Sequence, residues 1–184
     1  MDEHDAPRGV PVTGPVSGDS ASCSQLGGSL RQLATRLRST GRAAHDAFDN
    51  GDRARPGPVL VQARRRVDLL DTAAATAARE VDRIGTALQA HASDLAEAVA
   101  HSRLLTDRAE AAGLRVVDGE LTAGWGVRGV ADEQARTQQT ALRERLQAEL
   151  DTVTALVGRR RARLTAALRE SHDVLATHAG ALRR

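Results

Sequence analysis

The chain has 184 residues and 41% apolar content, yet only 1% aromatics, so its interior must be built from Leu, Val and Ala between closely spaced helices. Its 26 basic residues, all arginine, face 24 acids and leave a net charge of +2, too small a surplus to mark a polyanion binder. The single cysteine, Cys23, excludes an internal disulfide and fits a reducing compartment, and no run approaches the ~20 apolar residues of a membrane span.

Residues 1–18 contain Pro7, Pro11 and Pro15 with little to bury, which predicts a disordered tail; acids at Asp2, Glu3 and Asp5 argue against a secretory signal. Residues 19–184 read as one elongated helical domain. Asp19, or one of Ser20, Ser22 and Ser24, is placed to cap a first helix over about residues 20–48. Leu26, Leu30, Leu33, Leu37, Ala44 and Phe48 mark its apolar face. Gly27 and Gly28 predict fraying there, each costing roughly 1 kcal/mol relative to alanine. The string DNGDRARPGP then breaks the helix, and so short a connection predicts an antiparallel neighbour.

The second helix, about residues 59–112, is the organising element. Val67, Leu70, Ala74, Ala77, Val81, Ile84 and Leu88 recur every three or four residues, followed by Leu95, Ala98, Leu105, Ala109 and Ala112, with His91 and Ser102 interrupting. That is a narrow coiled-coil-like seam along a rod of roughly 80 Å, and it requires a partner to cover it. Leu114, Val116, Val117 and then Glu120, Leu121, Thr122 flank Asp118-Gly119, which predicts a β-hairpin over residues 114–123 with both turn positions at positive φ. Trp125, the only indole, is expected to pack where this hairpin meets the helix ends.

Asp132 is placed to cap a third helix over about residues 132–182. Leu142, Leu146, Leu150, Val153, Val157, Arg161, Leu164, Leu168, His172, Leu175 and Ala179 follow an eleven-residue period, unlike the seven of the second helix. Folding back symmetrically through the hairpin sets Val153 beside His91, brings residues 159–163 near Glu80 and Asp82, and puts His172 level with Thr72. The fold class is therefore all-α: an elongated antiparallel bundle of three helices, thinning to a two-helix stalk with the hairpin at the reversal. Trp125, Leu88, Leu95, Leu105, Leu142 and Leu146 are the candidate interaction or structural residues.

No constellation points to chemistry. The arginine runs 64–66 and 159–163 alternate with acids and lack stacking aromatics, against nucleic-acid binding. Glu97 and His101 share a helical face, but His91 and His172 do not converge on them, so no metal site or cofactor is expected. Cys23 has no His or Asp at an informative spacing, and no phosphate-binding glycine loop or nucleophile elbow occurs. The expectation is a non-enzymatic cytoplasmic protein whose partner is another helical protein or itself, with no small-molecule substrate.

The stretch LGGSLRQLATRLRSTGRAAHDAF resembles the first helix of the WXG-type helical hairpins associated with type VII secretion, and IGTALQAHASDLAEA, AAGLRVVDG and GWGVRGVAD resemble their longer actinobacterial relatives. The likeness covers roughly residues 18–182. It implies a partner, chaperone or adaptor of secretion substrates. Two departures stand out: the helix-breaking stretch has no Trp-x-Gly turn, and the chain has no tyrosine for a C-terminal export signal. Export would then depend on a partner's signal. A self-associating coiled-coil scaffold unrelated to secretion is the alternative.

Overall fold

The computed structural model describes residues 15–51, 57–123 and 133–183. Three helices and a hairpin follow in the order α1 (Ser20–Gly51), α2 (Pro58–Ala111), β1 (Leu114–Val117), β2 (Glu120–Ala123) and α3 (Glu133–Leu182). The all-α class with two long helices and a small antiparallel sheet between them is as expected. Trp125 and Asp132 lie outside the described residues, as do residues 1–14 of the expected tail. Within residues 15–18, however, Val16 is buried, so the expectation of little burial fails at that position.

Local chemistry sets the element ends. Asp19 caps α1: the Ser22 N–H donates to Asp19 Oδ1 at 3.0 Å and the Ser22 hydroxyl donates to Oδ2. These hydrogen bonds, the hydroxyl's foremost, hold the Asp19 carboxyl below its ordinary 3.8. Pro58 opens α2, where its missing N–H costs nothing. At the other end Gly113 takes φ 73° and donates its N–H to the Glu110 carbonyl at 2.9 Å, a left-handed stop. Asp118 (φ 52°) and Gly119 (φ 86°) form the two-residue turn, with Val117 paired to Glu120 and Leu114 to Ala123.

The chain forms two compact units. The first comprises Ala96–Val157 with the described residues 15–18. Its core joins Ala98, Leu105 and Ala109 of α2 to Leu146, Leu150, Val153 and Val157 of α3, with Leu114 and Leu121 of the hairpin and Ser102 also buried. Arg108 of α2 pairs with Glu149 of α3 at 3.2 Å. This pair places Val153 level with about Ser102 to Leu105, so the expected neighbour His91 is replaced. Residues 133–145 of α3 are all exposed: by the same register they run past the end of α2.

At the reversal between α2 and α3 the chain leaves α2 at Gly113 and the hairpin rests against α3 at Gln147. Gln147 holds it there. Its Oε1 accepts the Leu121 N–H at 2.7 Å, and its Nε2 donates to the Gly119 carbonyl at 3.1 Å and to Asp151 Oδ1 at 2.8 Å. One side-chain amide thus satisfies the outer edge of β2, where a third strand would otherwise sit.

The second unit comprises Asp19–Leu95 and Gly158–Arg184. Here α2 runs antiparallel to α3 through Arg160–Asp94 (3.2 Å) and Arg83–Glu170 (3.1 Å). Against the symmetric fold-back expected from sequence, the register is displaced by about ten residues, nearly three helical turns. The 159–163 cluster consequently meets Asp94, not Glu80 and Asp82; Glu80 sits by Arg83, and Asp82 by Arg31 and Arg38 of α1.

The period of α3 is also corrected. Its inward positions are 146, 150, 153, 157, 160, 164, 167, 171, 174 and 178, a seven-residue repeat like that of α2. The seam's polar members are Arg160, Ser171 and, near the helix end, His178, whereas Arg161 and His172 are exposed. The first two are tolerated because they are satisfied. Arg160 reaches Asp94, and the fully buried Ser171 hydroxyl accepts two N–H groups from Arg83, at 2.9 and 3.2 Å.

Candidate interaction surfaces

Helix α1 meets α2 through a row of small residues. Gly27, Ala34 and Gly41 recur every seven positions, and they oppose Gly85, Ala78 and the Ala74/Asp71 level of α2. A β-carbon at Gly27 would lie 2.7 Å from the Gly85 carbonyl oxygen, and one at Gly85 would lie 2.7 Å from the Gly27 carbonyl oxygen. The two backbones touch, which only glycine on both sides permits. Gly27 therefore serves the docking of α1, where sequence alone suggests a frayed turn. Ion pairs line the contact, from Arg31 and Arg38 to Asp82, from His45 to Asp68, and from Arg64 to Asp49. Being exposed, each contributes roughly 0–1 kcal/mol.

Because the glycine row faces α2, the leucine stripe of α1 does not. Leu26, Leu30, Leu33 and Leu37 are rotated from it by roughly 80°, at about 100° per residue. Leu26 is 52% exposed and Leu33 44%, while Leu30 and Leu37 are half-buried. The apolar face expected to form the core contact is therefore largely open. Ala44 on the same stripe is exposed too.

The other candidates divide sharply. Leu88, Leu95, Leu105 and Leu146 are buried in the α2 and α3 seams and hold the protein together; Leu146 is only 1% exposed. Leu142 lies in the exposed start of α3 at 37%. Trp125 falls outside the described residues. Sequence reading missed Gln147, whose polar side chain on a helix gives no periodic signal, and the Gly27–Gly85 pair, whose trace is the Gly27-Gly28 step of α1 and the single glycine of α2.

The histidines do not gather. His91 is half-buried with Nδ1 unpartnered, His101 is exposed, and His172 lies beside Asp173 at 3.3 Å. Among the described residues no group of three or more His, Cys, Asp or Glu side chains is arranged to hold a metal ion. Cys23 is free and half-buried. Among the described residues no helix is long and apolar enough to cross a membrane. Compared with family models, curated proteins and solved structures, the chain finds no match.

Proposed function

We propose that this chain is a non-catalytic helical module that binds another helical protein, acting as partner, chaperone or adaptor in the manner of the WXG-type proteins it resembles. The observation that carries this reading is the open leucine stripe of α1. Large aliphatic side chains at helical spacing, left about half in water while the same helix is docked through glycines, form a face that gains free energy when a further helix covers it. The reading places the protein in the cytoplasm, with export only on a partner's signal.

Size-exclusion chromatography with light scattering, on the protein alone and co-expressed with the products of neighbouring genes, tests the reading. A complex with one helical neighbour is expected. A monomer that ignores every neighbour overturns the proposal, and a stable homodimer without neighbours favours the self-associating scaffold. The arginine-driven alternative requires nucleic-acid affinity that falls steeply with salt. It is disfavoured by the engagement of Arg31, Arg38, Arg83 and Arg160 with carboxylates of the same chain.

A further inference from the structure

We draw no further inference here: the strongest candidate, the open leucine stripe on α1 formed by Leu26, Leu30, Leu33 and Leu37, is an unpartnered apolar face, and nothing in the structure shows what covers it.

Discussion

The α2–α3 seam of the first unit and the α1–α2 contact of the second are both antiparallel helix pairs built on a seven-residue repeat, yet they are held by opposite means. In the first, Leu105, Leu146, Leu150, Val153 and Val157 interlock as side chains, and stability comes from apolar area removed from water at about 25 cal/mol per Å². In the second, Gly27, Ala34, Gly41, Ala78 and Gly85 remove the side chains from the interface, so backbones approach and little apolar area is buried. The lesson is that a helix can be positioned closely without spending its leucines. The α1 stripe is left for something else.

Substitutions should separate the two mechanisms. Leu146→Ala attacks the interlocked seam at its most buried leucine and should cost about 2–5 kcal/mol in urea unfolding of the first unit. A loss below about 1 kcal/mol would mean that the seam is loosely packed. Gly85→Ala attacks the backbone contact, where the new methyl meets the Gly27 carbonyl. Although alanine favours helix, this change should destabilise α1 docking by about 1–3 kcal/mol and speed amide exchange throughout α1. Gly158→Ala is the matched control: a β-carbon there meets nothing within 4 Å, so the change should stabilise α3 by about 0.5–1 kcal/mol. If both glycine changes stabilise, the close approach is refuted.

Gln147→Ala should loosen the hairpin by about 1–2 kcal/mol, since the Leu121 N–H and the Gly119 carbonyl lose their partner. Amide exchange at Leu121 should report it, with the helical signal unchanged. The smallest effect is electrostatic. Asp19's carboxyl is held below its ordinary 3.8 by Ser22, so its capping contribution is present above that value and is lost as pH falls through the depressed folded-state value. Asp19→Asn should flatten this last acid-side decline in stability, and an unchanged profile would show that the cap carries no titrating contribution.

Much of this architecture is legible in the residues because its signals are local. Pro58, Gly113 and the Asp118-Gly119 pair each fix a helix end or a turn through their own backbone preferences, and the α2 repeat announces a seam. What hydrophobicity misplaces is the choice among polar seam positions. Arg160 and Ser171 look unfit for burial until Asp94 and Arg83 are seen across from them, so the eye moves to Arg161 and His172 and the period slips from seven to eleven. The same limitation governs register, since the strapping of the hairpin by Gln147 is a long-range hydrogen bond. The candidate surface follows the pattern: the α1 leucines are evident in sequence, but their exposure depends on two glycines far apart in the chain.

The register of α2 against α3 in the second unit is the claim on which the account of the α3 seam and its polar members depends. Short thiol cross-linking in a Cys23→Ser background tests it most directly, comparing Asp94→Cys/Arg160→Cys with Ile84→Cys/Arg160→Cys. The Asp94–Arg160 contact at 3.2 Å predicts efficient linkage of the first pair and none of the second, whose positions are offset by about ten residues, roughly 15 Å along the helix. Linkage of the Ile84 pair instead would restore the symmetric fold-back and contradict the structure described above.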